Sequence, residues 1–254
     1  MPLSPRQRRF RHTLALASLL AVAAGMVNVV ALEAFGALVA NVTGHATEAG
    51  RAIGSGSWGT VARRLSWLGA FMVGAAISAL LMRPAQRRGW HFVYAAPLLL
   101  ELLILLIASI LGDWAAGDRL LTDELIALLL LAMGVQNAMV TWASGAVVRT
   151  THLTGLLTDI GINLGRLASG EPASERRILG VRLGLQVSIV LSFVSGAAAG
   201  EAAWMLSGTG ALRLAMFPIL ISVIYDVLLA RAERLNPSQF ASGGPGPSDD
   251  EPDR

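Results

Sequence analysis

The chain contains no cysteine, which excludes disulfides, thiolate metal sites and cysteine nucleophiles. Lysine is missing as well, so all 20 basic residues are arginine. Only 15% of the residues are charged, against roughly 25% in soluble domains. Four histidines are sparse for a metal centre. No Gly-rich loop follows a strand pattern, no strand pattern convinces, and no Ser, His and Asp arrangement stands out. Catalysis therefore has no positive support, and nothing calls for a cofactor or a metal.

What the chain has in abundance is apolar length. Of its 254 residues 54% are hydrophobic, and the mean hydropathy is +0.59. Apolar runs cover about 13–40, 65–82, 92–111, 124–148, 181–206 and 212–230, each near or above the roughly 20 residues that span a bilayer. An all-α, polytopic membrane protein with about six transmembrane helices is expected. The first run could be read as a signal peptide, since Arg6, Arg8, Arg9 and Arg11 precede it and Ala21-Val22-Ala23 resembles a cleavage site. Its apolar character continues to Ala40, so a membrane helix is the expectation.

With the N-terminus inside, fifteen arginines fall on the cytoplasmic side. Only Arg51, Arg63, Arg64, Arg119 and Arg213 fall outside. This bias predicts cytoplasmic N- and C-termini in a cytoplasmic (inner) membrane. It also means that the pI of 10.4 reports topology and not nucleic-acid binding. Trp67, Trp90, Trp114 and Trp204 fall at the expected helix ends, where amphipathic rings prefer the headgroup level. The tail from Asn236 to Arg254, rich in Pro and carrying the acidic run Asp249-Asp250-Glu251, reads as disordered.

A repeat organises these spans. Asn41-Val42-Thr43-Gly44-His45-Ala46-Thr47-Glu48-Ala49-Gly50 aligns with His152-Leu153-Thr154-Gly155-Leu156-Leu157-Thr158-Asp159-Ile160-Gly161. Gly25-Met26-Val27-Asn28 answers Gly134-Val135-Gln136-Asn137, Phe71 through Ala76 answers Phe193 through Ala198, and Pro97 answers Pro218. The offsets of 109, 111, 122 and 121 put the one large length change in a connection, where insertions are tolerated. The chain then divides into an Arg-rich N-terminus (1–12), a three-helix repeat (13–111), an external connection (112–123), a second repeat (124–230) and a cytoplasmic tail (231–254). Three spans per repeat is odd, so the second copy enters the bilayer from the opposite side, a plan common in secondary transporters and also found in channels.

The Thr-Gly elements, 41–56 and 152–167, would lie on opposite faces. Each reads either as a re-entrant half-helix, with amides and hydroxyls turned to the protein interior, or as an amphipathic helix lying along the membrane surface. Thr43 with Thr47, and Thr154 with Thr158, fall one turn apart, with Asp159 and His45 beside them. Glu101 sits mid-span. Without a partner it should be desolvated, which favours the protonated form and suits a proton-coupled step. The equal alternative is a structural carboxyl that accepts a hydrogen bond or pairs with an Arg between helices. Asp226 and Glu33 are expected at interfaces. Asn28, Gln136 and Asn137 would ligate a polar substrate or bond helix to helix. Pro97 and Pro218 are expected to kink their helices, and Gly74 and Gly196 to mark close-packed faces. A metal pair of His45 and His152 lacks a further ligand.

The segments Ala24 to Asn28, Asn41 to Thr47, Met133 to Ala138 and Thr151 to Thr158 together resemble the YoaK-like family of bacterial inner-membrane proteins, a domain of unknown function. The resemblance covers most of residues 13–230 and implies a six-helix or similar membrane protein without supplying a substrate. Two departures stand out. The family usually looks like Gly-Tyr-Val-Asp where this chain has Gly25-Met26-Val27-Asn28, and like Asn-Met-Thr-Gly-Asn-Thr where it has Asn41 to Thr47 with His45. Loss of an Asp at position 28 leaves any ion role there without its carboxylate.

Taken together, a secondary transporter or permease for an unidentified small molecule is expected. Its candidate residues are Asn28, Thr43, His45, Thr47, Glu101, Gln136, Asn137, Thr154, Thr158 and Asp159, and its expected partners are the lipid bilayer and that solute. A homo-oligomer is compatible with the sequence. The alternative is a non-transporting membrane protein that binds a partner or lipid, and behind it an intramembrane enzyme.

Overall fold

The computed structural model of the protein describes residues 5–87, 93–115, 117–143 and 153–235, and the described residues are helical apart from short connections, without a strand. The helices are α1 (Pro5–Phe35), α2 (Val42–Gly54), α3 (Trp58–Arg87), α4 (Ala95–Leu111), α5 (Arg119–Ala143), α6 (Leu153–Ala168), α7 (Ala173–Ser207) and α8 (Ala211–Leu235). Short 3-10 turns follow α4 at Gly112–Trp114 and join α7 to α8 at Gly208–Gly210. Among the described residues five segments are long and apolar enough to cross a membrane: Leu14–Phe35, Trp58–Pro84, Ala95–Trp114, Arg119–Ala143 and the 56-residue Ala173–Leu228, which runs through both α7 and α8. The two Thr-Gly elements are the short helices α2 and α6.

Helix boundaries follow local chemistry. The first apolar run continues to Ala40, but α1 stops at Phe35 because Gly36 adopts φ +69. There its N–H bonds Leu32 O at 2.8 Å, the usual glycine stop past a helix end. The chain from 37 to 41 folds back, and Asn28 Oδ1 accepts the Ala40 N–H at 2.8 Å. Asn41 then caps α2 by accepting the Gly44 N–H at 3.0 Å. Pro97 falls in the first turn of α4, where a missing donor costs nothing. The kink expected there is therefore not required, whereas Pro218 lies inside α8.

Packing crosses the two halves of the chain. α1 makes its largest contact with α7, and α3 makes its largest with α5. Both crossings are made by glycine. A Cβ on Gly25 of α1 would collide with the backbone of Phe193 and Ala197 on α7, and one on Gly134 of α5 would collide with Phe71 and Ala75 on α3. Conversely, Gly196 lies against Val22, and Gly74 against Leu131. These two sets of residues are related by the offsets 109 and 122. Gly196 meets Val22 and Gly200 meets Met26, so α1 and α7 run parallel.

Two bundles result. One contains α1, α7 and α8, with α6 laid on α7; the other contains α3, α5 and α4, with α2 laid on α3. They meet along α4 with α8 and α1 with α5. On that seam α4 and α8 run antiparallel, because Asp113 meets Thr209 while Ser109 meets Arg213.

Gly25→Leu and Gly134→Leu should each destabilise the protein by at least the roughly 1–3 kcal/mol of an overpacked core, since a rigid backbone blocks the added carbons. Gly50→Ala, in open space on α2, should be neutral or stabilising by up to about 1 kcal/mol. Thermal unfolding of the detergent-purified variants checks this, and equal tolerance at positions 25 and 50 would contradict it.

Candidate functional site

The buried polar residues concentrate at the seam. Gln136, fully buried on α5, donates from Nε2 to Leu20 O of α1 at 2.8 Å, which ties the bundles together across their first contact. Asn137 beside it donates to Met133 O, one turn back, at 2.9 Å. At the second contact Arg213 Nε donates to Ser109 Oγ at 2.7 Å, and the Thr209 hydroxyl donates to the Asp113 carboxylate. Glu101 lies deeper on the row of α4 that carries Leu105 and Ser109, four and eight residues on. It is 0% exposed, and neither carboxyl oxygen has a hydrogen-bond partner among the described residues. Counting back along α4 and forward along antiparallel α8 brings Glu101 level with Ile221 and Ser222. Ser222 is buried and donates to Pro218 O at 2.8 Å. Asp226, one turn further, is buried too.

A second cluster holds α2 against α3. His45, Ala49 and Ala52 form the buried face of α2. The His45 ring meets Trp67 edge-on at 5.2 Å between centroids, and the Arg64 guanidinium lies 4.4 Å from the centre of the Trp67 ring, a cation–π contact worth about 0.5–2 kcal/mol depending on desolvation. His45 Nε2 lies 3.1 Å from Leu38 O, and its Nδ1 lies 3.4 Å from Arg64 NH1. A carbonyl only accepts and a guanidinium only donates, which assigns the neutral tautomer with its proton on Nε2. Burial, and then the Arg64 charge, push the His45 pKa below its ordinary value.

In the matching place under α6, Asn163 Nδ2 donates to Gln186 Oε1 at 3.1 Å. Both amides are buried. With Asp159, Ile162 and Arg182 they line a cleft of about 280 Å³. Arg166 at the end of α6 bonds Glu171 at 2.8 Å and Glu175 at 3.3 Å, and Glu171 beside it raises its pKa further.

Against the expectations from sequence, Gln136 and Glu101 stand on the seam, and Gln136 makes the expected helix-to-helix bond. Asn28 serves the turn after α1. The hydroxyls of Thr47 and Thr158 each donate to a carbonyl one turn back, Thr43 O and Thr154 O, both at 2.9 Å. Thr43, Thr47, Thr154, Thr158 and Asp159 are exposed, and α2 packs on α3 as α6 packs on α7, so the threonines are not brought to the seam. Two expectations are corrected. Trp67 is 4% exposed and not an interfacial ring, because α3 begins nine residues before it. Asp226 is buried, because it lies on a face of α8 turned into the protein, two residues before the end of the apolar span at Leu228. Glu33 is exposed. His152 and Trp90 lie outside the described residues. The Arg64–Trp67 contact had no signal in sequence, whereas Ser222 did: the offset of 121 that pairs Pro97 with Pro218 also pairs Glu101 with Ser222.

Comparison with known proteins places these features in a family context. The profile of a family described as protein of unknown function (DUF1275) matches residues 16–225. The UPF0700 transmembrane protein YoaK of Bacillus subtilis (strain 168) is 32% identical over 152 residues, which is 59% of this chain and 66% of that protein. The chain thus matches just under two thirds of that relative's length. No solved structure matches.

His45 should make stability pH-dependent. A histidine whose folded pKa lies below its unfolded value stabilises fully above the unfolded value, and the contribution is lost as pH falls toward the folded one. Wild-type melting temperature should therefore drop on acidification through the ordinary histidine range. His45→Gln, which cannot titrate, should lose about 1 kcal/mol of hydrogen bonding and flatten the profile. An unchanged acid slope in His45→Gln would assign it elsewhere.

Proposed function

The chain belongs to the DUF1275 family of unknown function, and within it we propose that this transmembrane protein is a secondary transporter for a small molecule, built from two inverted repeats of three spans. The observation that carries the reading is the α4–α8 pair. These helices occupy matching places in the two halves, both marked by proline, and they run in opposite directions where they touch. Matching helices that are antiparallel are what inversion requires. The equivalence of the α1–α7 and α5–α3 crossings under the same offsets supports it further.

On this reading the moving bodies are the two bundles and not the two halves of the chain. The crossings α1–α7 and α3–α5 are backbone-to-backbone and rigid. The seam is joined by side-chain bonds that can be exchanged, namely Gln136 to Leu20 at one contact and Ser109 to Arg213 at the other. A solute bound between α1, α5, α4 and α8 would be reached alternately from each side as the bundles rock. Asn28, Asn137 and Glu101 are the polar groups nearest that path. The protein would sit in the cytoplasmic membrane with both termini inside, following its arginines.

The absence of cysteine makes the test clean. With single cysteines, Thr47→Cys should react with a membrane-impermeant maleimide from outside intact cells, and Thr158→Cys only in inverted vesicles. Labelling of both from one side would sink the inverted topology. For transport, a bis-maleimide joining Ser109→Cys to Arg213→Cys should abolish counterflow of any solute that a panel of labelled sugars, amino acids and organic acids shows to move. Flux that survives the cross-link, or a stoichiometric protein partner with no flux at all, would favour a non-transporting role.

A further inference from the structure

We propose that Glu101 is a proton-binding site, one per chain, and that on the transporter reading above its proton is the coupling ion. Three observations converge on it. Its carboxyl is wholly enclosed, and neither oxygen has a hydrogen-bond partner among the described residues. It lies on the row of α4 whose end touches α8, inside the seam where the bundles meet. And it has no acidic counterpart, because the matching position on α8 is Ser222. If the two halves are related by a two-fold axis, the α4–α8 contacts put that axis close to the level of Glu101 and Ser222, so the crossing holds a single titratable group where symmetry would allow two.

Among the described residues the surrounding ionisable groups leave the carboxyl without a counter-charge. On α8, Asp226 is held by interactions of its own, as is Tyr225, and Arg213 is engaged by Ser109, about 12 Å along α4 from Glu101 at 1.5 Å per residue. On α5, Arg119, Asp123 and Glu124 stand at the first turns, and Asp123 pairs with Arg63 of α3 at 3.7 Å. Arg83 is near the far end of α3 and Arg64 lies against Trp67. Asp113, after α4, accepts from Thr209, and Tyr94 precedes α4 with an interaction of its own. An ionised carboxylate with neither donor nor cation is strongly disfavoured, while the neutral acid is tolerated. The closed seam thus holds the acid. When the seam opens to one side, the O–H bond breaks toward water there. When it opens to the other side, the carboxylate takes a proton from that water. No other bond changes. The site alternates between a sealed, protonated state and a wet state that exchanges.

The test uses the full-length protein in liposomes. Infrared spectra at neutral pH should contain a carboxylic-acid carbonyl band that Glu101→Gln removes and Glu101→Asp shifts. Dicyclohexylcarbodiimide, which attacks protonated carboxyls in apolar surroundings, should modify wild-type Glu101, mapped by mass spectrometry. The rate should fall about tenfold per pH unit once titration begins, and sodium should not protect. The labelling needs no variant, so a misfolded Glu101→Gln does not blunt the test. A band that persists in a folded Glu101→Gln, wild-type labelling that misses Glu101, or protection by sodium overturns the proposal. A one-sided result from the cysteine labelling would instead defeat the inverted topology and leave the proton site standing.

Discussion

Helices in a bilayer gain nothing by hiding apolar surface from one another, because lipid tails are as apolar as leucine, so association depends on how closely backbones approach. In this protein that approach happens at two places, where Gly25 and Gly196 close α1 on α7 and Gly134 and Gly74 close α5 on α3. Everything else is arranged around these crossings. They commit one face of each of four helices to contact with a partner backbone, where at the closest points only glycine fits. Larger and more polar side chains are left to the seam, where helices meet less tightly and a carboxamide or carboxyl has room. Rigidity and polarity are thereby separated in space.

The same separation explains how the two short helices differ. Both sit on the outside of a long helix, both carry a threonine pair that bonds its own backbone, and both expose that pair. Beneath them the chemistry diverges. Under α2 a neutral histidine is wedged between an arginine and a tryptophan, while under α6 two amides bond each other beside a charged cleft. His45 is the titratable residue of the α2 contact, held neutral by burial and by the Arg64 charge.

How much of this could be read in advance depends on whether a feature is a property of a stretch or of a face. The apolar runs, the two Thr-Gly helices and the packing glycines are properties of stretches, and they stand close to where sequence puts them. Asp226 went astray because hydropathy measures position along a helix and not the direction in which a side chain points, and Trp67 because the helix that carries it begins before the apolar run does. The threonine pairs misled for a related reason: a hydroxyl one turn from a carbonyl satisfies itself locally and is no longer evidence for a ligand. Glu101 was legible as an anomaly, but its setting was not, since that depends on α8, more than a hundred residues away in the chain.

That long reach shapes how the molecule is made. The partner of α1 is not the helix that follows it but α7, more than a hundred residues later, so the glycine face of α1 has no cover until α7 has been made. The other crossing, α3 with α5, joins helices that lie much closer in sequence. Contacts so distant in sequence slow folding. For this protein the vulnerable interval is therefore the time before interlock, when a chain interrupted before α7 carries the glycine face of α1 and nothing to close it.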